Sequence, residues 1–600
     1  MTRRPGTRPH AGLAGTVKTM GHARSGGTAG LIAIGVSVAF TLAVAVAGPS
    51  VMEPALPGRP GQPPWSLSLH PSPYLAVGLT AAGLAAGTLG LVLVLGAVRG
   101  GWSFPARAVL VAGLLAAAAL TLVPPFGSSD HLSYAAYGRM LVTGHNPYTT
   151  TPAQLAALGD PVARAVQDWS GMPSVYGPLA TAIQGLASLI GGTSVRLTVF
   201  VLGLANLVAF AVTALLLHRM TRRDPVQQLR AALLWACNPL LLQVLVAGAH
   251  VDGQAVVFGV AAVAVCAGGA RGARGIRGGG EPPPRGVWGD GSPQERGGFG
   301  GGRPPRASTA AMAGVLVGLG FAVKVTSALV GLGLAIALVL ILGRRWRRLV
   351  PPLAALGAGF AVTAGAAVAI GGSAMLQQSS RASDMVSIGS PWRVIRTIIH
   401  LAVAGTAATD IVKFGAIALA AVLAVLLIRG LPGLLPGREP GAGAGPDPHP
   451  YAGVAFALVV AWLFAWPYVL PWYDALGWAL LPLVLLPSAP AAEGLIWLLL
   501  ARTAALAFGY LPARQTNAAL PAGLGWLQPV IRRGVTPAVI AAATAWLVVL
   551  MVRSRRSARA ERRVPQAPPP APLPGAPPCV MPEACQQAPP GEAPAREASR

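Results

Sequence analysis

Charge is scarce in this 600-residue chain. Asp, Glu, Lys and Arg make up 11% of it, where a soluble domain carries about 25%. That deficit, with long apolar runs and a mean hydropathy of +0.59, excludes a large water-soluble protein and implies a chain solvated by lipid. Acids are scarcer than bases, 19 against 45, for a formal net charge of +26. Such an excess first suggests nucleic acid. The basic residues, however, gather at the ends of apolar runs and in Gly/Pro-rich connections, the positive-inside pattern of a membrane protein. The distribution argues against nucleic acid as a partner and for attraction to anionic membrane lipid. Aromatics are few, at 6%; Ala, Gly and Leu take their place, which suits helices packed closely in lipid. Of the four cysteines, Cys237 and Cys266 fall in apolar runs and read as small packing residues, while Cys579 and Cys585 fall in a Pro-rich tail. No disulfide framework is implied. No nucleotide fingerprint has a useful context either, since Gly278-Gly279-Gly280 follows no strand.

What the chain has is a series of apolar runs. After a basic N-terminus the first extends from Leu31 to Ala47. It reads as an uncleaved anchor, with a signal peptide cleaved near Ala45-Val46-Ala47 as the alternative. Further runs lie near 74–98, 107–124, 195–217, 229–247, 251–268, 308–323, 325–342, 349–371, 410–428, 451–466, 475–487, 492–510 and 535–552. Their lengths suit helices crossing a hydrocarbon layer about 30 Å thick. The expected fold is an all-α integral membrane protein. It is a polytopic bundle of about 13–14 transmembrane helices with a partly helical first large extracytoplasmic loop. The run at 175–192 reads as a partial or re-entrant segment, because a full crossing there would put Arg219, Arg222 and Arg223 on the wrong side. With that choice the clusters Arg219–Arg223, Arg271–Arg306, Arg344–Arg348, Arg429–Arg438 and Arg553–Arg563 share the cytosolic face. The expected organisation is a basic cytosolic segment at 1–28, a polytopic membrane domain at 29–552 and a disordered Pro/Ala-rich tail at 553–600. The Gly/Pro/Arg-rich loop at 269–307 reads as disordered.

The opposite face then receives a chemically distinct set of residues. A long loop, 125–174, opens on Ser128-Ser129-Asp130-His131-Leu132-Ser133-Tyr134 and carries Tyr137, Arg139, His145 and Tyr148, then Asp160, Arg164, Asp168 and Trp169. Asp130 follows an apolar run directly and is expected to be solvated there. The stretch 132–143 is expected as a short interfacial helix and 152–168 as another. Tyr176-Gly177-Pro178 begins the ambiguous segment. Shorter outer turns add His250 and Asp252, Lys324 between two runs, and the aromatic turn Trp466–Asp474 with Trp472 and Tyr473. The loop 372–409 adds Arg381, Asp384, Trp392, Arg393, Arg396 and His400.

Asp130 through Arg139, then Gly144-His145-Asn146-Pro147-Tyr148 and Tyr176-Gly177-Pro178, resemble the first outer loop of actinobacterial polyprenyl-phosphate-mannose-dependent α-1,6-mannosyltransferases. Asn238-Pro239, Gly248-Ala249-His250-Val251-Asp252, Lys324 and Pro471-Trp472-Tyr473 fit the same pattern, so the resemblance spans about residues 107–510. It implies a membrane glycosyltransferase of the GT-C class. Such an enzyme takes a sugar from a polyprenyl-phosphate donor on the outer leaflet, passes it to a lipid-linked glycan acceptor and uses no further cofactor. One departure is that Asp130 is followed by His131 and Leu132 rather than by a second acid. This leaves a two-carboxylate or metal-dependent mechanism without support from the motif.

Inverting transfer needs a base for the acceptor hydroxyl. Asp130 is the candidate, with a helix N-cap as its compatible alternative. The leaving phosphate needs a cation; Lys324 is the candidate, with snorkelling as its alternative. Arg381, Arg393 and Arg396 are weaker candidates than Lys324, with a solvated loop as their alternative. His131, Tyr134, Tyr137, Arg139, Tyr176, His250, Asp252 and Tyr473 complete the substrate-binding set. For His250 and Asp252 a hydrogen-bonded turn is the alternative, and two such ligands make no metal site. Trp472 reads as a member of an interfacial aromatic belt. The competing function class is a polytopic transporter or lipid flippase, which calls for polar groups near mid-membrane and repeated halves. Here the polar groups concentrate at one face.

Overall fold

The computed structural model describes residues 12–275, 305–403, 406–431, 450–484, 490–512 and 520–561. No strand occurs among them. The first elements are α1 (Gly12–Ala47), α2 (Pro73–Arg99), α3 (Ala106–Thr121), α4 (Asp130–Val142), α5 (Pro152–Ala157), α6 (Pro161–Arg164), α7 (Pro178–Gly191) and α8 (Val195–Met220). Then come α9 (Pro225–Ala231), α10 (Pro239–Leu241), α11 (Asp252–Gly275), α12 (Ala307–Val323), α13 (Ala328–Leu342), α14 (Trp346–Ser383) and α15 (Pro391–Ile399). The last are α16 (Ala407–Gly430), α17 (Pro450–Ala465), α18 (Ala475–Leu480), α19 (Pro490–Gly509) and α20 (Thr536–Glu561).

Eight helical segments among the described residues are long and apolar enough to cross a membrane, and five shorter apolar helices accompany them. The protein is a polytopic, all-α membrane protein. Among these eight, the segment Pro225–Ala247 is the most deeply buried inside protein. Asn238-Pro239 breaks it: proline removes a backbone donor, and Asn238 Oδ1 caps the restart at Leu240 N, 3.1 Å away. Wide π-type turns flank the break. Trp235 anchors this segment, stacked on Phe210 at 5.0 Å and donating its indole N–H to Phe210 O at 3.0 Å.

The helix ends sort into two sets. At one end Glu493 pairs with Arg99 at 3.0 Å and faces Arg230 at 3.9 Å. Ser554 donates to Gly430 O at this same end, at 2.7 Å. The other end gathers the starts of α4, α8 and α11 and the 466–474 turn. Both ends of α7 belong to this second set. Gly177 N donates to Val323 O at 3.0 Å, and α7 leads directly into α8, whose Arg196 N donates to Pro57 O at 3.0 Å. With 14 residues α7 is about 21 Å long. It packs on α4 and α8.

Several boundaries differ from the sequence reading. The interfacial helix expected at 132–143 is α4, and nine of its residues are buried. Its small and aromatic side chains pack between α7, α8 and the loop after it, instead of lying on lipid. Of the outer loop expected at 372–409, the first part is a continuation of α14, bent at Gly372 (φ 69°). Helix α11 extends to Gly275 and α20 to Glu561. The rest of the regions expected to be disordered, 276–304 and 562–600, lies outside the described residues, as do Cys579 and Cys585. The chain divides into a unit of residues 1–555 and a second of 556–600, of which only 556–561 are described.

Helices α12 and α14 meet backbone to backbone. A Cβ added at Gly314 would lie 2.1 Å from Leu356 O, and one at Gly359 would lie 2.2 Å from Ala311 O. Close approach through small residues is the standard means of tight packing where lipid offers no hydrophobic drive. Gly314→Leu or Gly359→Leu should therefore cost about 3 kcal/mol or more, read as a lowered thermal unfolding midpoint in detergent. Gly357→Leu, which meets open space, should leave the midpoint near wild type. Three equal midpoints would refute the close approach.

Candidate functional site

The site begins where α4 begins. Gly127, at φ 84°, turns the chain out of α3, and its N–H donates to Met52 O at 2.8 Å. Ser129 takes the N-cap position, but its hydroxyl donates to Asp168 Oδ2 instead of capping the helix. Asp130 is the first helical residue, and its N–H donates to Ser128 Oγ at 3.1 Å. It is therefore not the N-cap. Nor is it solvated as expected: its side chain is 16% exposed. Burial pushes its carboxyl up to about 7, with Asp168 and Asp252 adding to the effect and Lys324 and the Ser128 hydrogen bond opposing it.

The turn at 248–251 brings a histidine to this acid. Ala249 adopts φ 52°, a left-handed conformation that a side chain tolerates only under constraint. The constraint is visible: Asn206 Nδ2 donates to Ala249 O at 2.9 Å and is itself held by Gln254. A Cβ at Gly248 would come within 2.6 Å of the His250 ring, so glycine leaves the room that the ring occupies. His250 Nδ1 lies 3.6 Å from Asp130 Oδ2 and 3.4 Å from the Tyr134 hydroxyl. Burial holds the imidazole well below the ordinary histidine range, helped by His131 and Lys324. His250 is thus neutral, and its approach to Asp130 is no ion pair. At 3.6 Å it is also too long for a hydrogen bond. Tyr176 donates its hydroxyl to that of Tyr134 at 3.2 Å, with the two rings edge to face.

Asp252, at the start of α11, accepts from Lys324 Nζ at 2.6 Å. Lys324 stands in the break between α12 and α13, its backbone extended, with Nζ 3.7 Å above the Tyr473 ring. Its side chain is 12% exposed, so it is paired within protein rather than snorkelling. Trp472 likewise is no belt residue. It is buried and stacks on His250 at 3.5 Å between centroids. Asp474 braces the aromatic turn from behind through a fully buried ion pair with Arg502. Arg502 Nη2 donates to Leu463 O at 2.9 Å, and the Thr503 hydroxyl, accepting from Trp478 Nε1, donates to Asp474 Oδ2 at 2.7 Å.

The His250–Trp472 stack separates two crevices. One is lined by Asp252, Lys324, Trp462, Trp472 and Tyr473. The other is lined by Gln243, His250, Trp472 and Tyr510. Asp130, Tyr134, Tyr176, His250, Asp252, Lys324 and Tyr473, all singled out from the sequence, thus form one connected group. Three others turn elsewhere. Tyr137 donates to Met172 O at 3.0 Å, Arg139 Nε to Asp160 Oδ2 at 2.7 Å, and Arg393 is exposed on α15. His131 is fully buried next to the group with no hydrogen bond to either ring nitrogen; burial lowers it to about 3. Among the described residues no three His, Cys, Asp or Glu side chains converge as metal ligands. The sequence reading missed Asp168, Tyr510, Arg502 and Arg532 as members of this constellation. Arg502 carried a usable signal, a lone cation inside the apolar run 492–510.

Residues 29–341, just over half the chain, match the family model described as alpha-(1->6)-mannopyranosyltransferase, N-terminal domain. The chain belongs to this family. Over 133 residues it is 35% identical to a probable alpha-(1->6)-mannopyranosyltransferase of Mycolicibacterium smegmatis, covering 22% of this chain and 24% of the relative. An alpha-(1->6)-mannopyranosyltransferase of Mycobacterium tuberculosis is also 35% identical over 133 residues, 22% of each chain. Alpha-(1->6)-mannopyranosyltransferase B of Corynebacterium glutamicum is 30% identical over 134 residues, again 22% of each. The matched stretch spans less than a quarter of each relative's length. No solved structure matches the chain.

Two predictions follow from the geometry of this family member. Removing one partner of a buried ion pair strands the other, at a cost of about 3–5 kcal/mol. Arg502→Met should lower the thermal midpoint accordingly, and Arg502→Met with Asp474→Leu should recover most of the loss. A single variant as stable as wild type would show that the brace is dispensable. The second concerns Glu53, buried in the 48–72 loop with Oε2 unpartnered. Burial raises its carboxyl to about 9, with Arg196 opposing. The folded pKa lies above the unfolded one, so stability is greatest below about 4.5 and falls as pH rises toward 9. Glu53→Gln should raise the midpoint at pH 8 more than at pH 5; an equal effect at both would contradict this.

Proposed function

We propose that this protein is a membrane mannosyltransferase that moves mannose from polyprenyl-phosphate mannose to a lipid-linked α-1,6-mannan acceptor at the outer face, by inverting displacement. The observation that carries the reading is the convergence of one acid of raised pKa, Asp130, with a held cation, Lys324, across aromatic walls. Family membership supports it, and the relatives' names supply the sugar and linkage. The acceptor hydroxyl attacks the anomeric carbon. Asp130 takes its proton, and the C–O bond to phosphate breaks with the electron pair leaving on the phosphate. A pKa near working pH suits a general base. Lys324 meets the charge that develops on the leaving group. An ammonium has three N–H donors and Asp252 engages one, so a phosphate oxygen can be bound without dissolving that pair. Tyr134, Tyr176, His250 and Tyr473 present hydroxyl, imidazole and ring faces to the sugars. His131, Tyr137 and Arg139 support this wall from behind, and Arg393 stands on the approach.

The test is transfer of labelled mannose by protein in nanodiscs supplied in turn with several polyprenyl-phosphate sugars, followed by linkage analysis. Asp130→Asn should lower turnover about 10²–10⁴-fold while the protein stays folded. The base must be ionised, so the wild-type rate should fall about tenfold per pH unit below pH 7 and level off above it. Normal turnover by Asp130→Asn would remove this acid from the mechanism, and movement of lipid across the bilayer without sugar transfer would favour a flippase. Labelling of position 130 from the cell interior would overturn the outer-face assignment.

A further inference from the structure

Lys324 is buried deep in the group, tied to one acid and one ring. A second cation stands on the other side of the aromatic wall. Arg532, in the segment Leu527–Val535, holds its guanidinium carbon 4.7 Å from the centre of the Tyr510 ring. Tyr510 packs edge-on against Trp472 at 5.2 Å, and Trp472 stacks on His250 beside Asp130. The Tyr510 hydroxyl lies in the fields of Arg532, Asp130 and Asp168 together, and that of Tyr468 in the fields of Arg532 and Asp130. Arg532 therefore stacks on one of the residues that line the second crevice.

The surroundings of Arg532 face an apolar phase. Its own segment exposes Val530 and Val535, and Trp526 just before it is 51% exposed. The loop 387–390 abuts it, since a Cβ at Gly389 would lie 3.5 Å from Arg532 O. That loop leads into α15, on which Val394, Ile395 and Ile398 are exposed on one side and Arg393 and Arg396 lie on the other. Such a helix suits the boundary between headgroups and acyl chains. A guanidinium stacked on a ring that lines the crevice, on a segment with exposed apolar side chains, can form two parallel hydrogen bonds to a phosphate.

We propose that Arg532 binds the phosphate of the lipid-linked donor at the entrance to the site, while Lys324 acts on the leaving group within. This rests on the donor class proposed above. The two cations then divide the kinetic constants, Arg532 governing donor KM and Lys324 governing kcat.

The experiment measures binding of fluorescent polyprenyl phosphate, without sugar, to the full chain in nanodiscs, alongside transfer kinetics. Losing a charged hydrogen-bonding partner corresponds to about a tenfold to hundredfold loss of affinity. Arg532→Gln should weaken binding and raise donor KM by that factor with kcat nearly unchanged. Arg532→Lys should recover part of the affinity, showing that the loss is not one of folding, and Arg533→Gln should match wild type. Wild-type and Arg532→Gln proteins binding the lipid equally well would overturn this inference alone. A fall in kcat at unchanged KM would do the same. Failure of the wild type to bind polyprenyl phosphate would instead sink the donor reading, and this inference with it. Displacement of the lipid by millimolar inorganic phosphate would mark a general anion site and refute the assignment to a lipid.

Discussion

The contact between Asp252 and Lys324 is the constraint on which the site depends. It joins the start of α11 to the break between α12 and α13, at 2.6 Å and largely out of water. Two charges in such surroundings attract far more strongly than at a surface, and each alone would be costly to bury. The pair therefore fixes the position of both elements at once. Tyr473 closes over the ammonium, which ties the aromatic turn to the same point. Through Trp472 the turn fixes His250, and through His250 the surroundings of Asp130.

Neutrality is the second theme of this region. His131 and His250 are both held uncharged by burial. A protonated imidazole beside Asp130 would pull the acid down. Burial instead keeps the acid high, and the neighbouring carboxylates Asp168 and Asp252 add to it. Arginine and aspartate behind the turn, Arg502 and Asp474, hold it in place while adding no net charge.

Much of the architecture was legible because lipid simplifies the problem. A helix that must cross hydrocarbon declares itself by the length of its apolar run, and the basic clusters then order the crossings. That logic also singled out α7 as the odd segment. The residues singled out from the sequence that the structure brings together, such as Asp130, His250 and Lys324, were polar residues out of place in apolar surroundings. What remained hidden was decided by partners distant in the chain. Nothing local in Trp472 says that it stacks on His250, more than 200 residues earlier. Helix α4 has a pattern that suits an interface, yet α7 and the loop cover it. Ser129, not Asp130, takes the cap position, and its hydroxyl caps nothing because Asp168, 39 residues later, draws it away.

The meeting of Gly314 and Gly359 has a consequence for the cation at the end of the same helix. Backbones that touch leave α12 no freedom to roll or slide against α14. Lys324 follows directly on the last turn of α12, so its main chain inherits that rigidity, and Asp252 and Tyr473 immobilise the rest of the side chain. The disorder of a long flexible amine has thus been surrendered when the chain folds, and any anion bound there would not have to impose that order again.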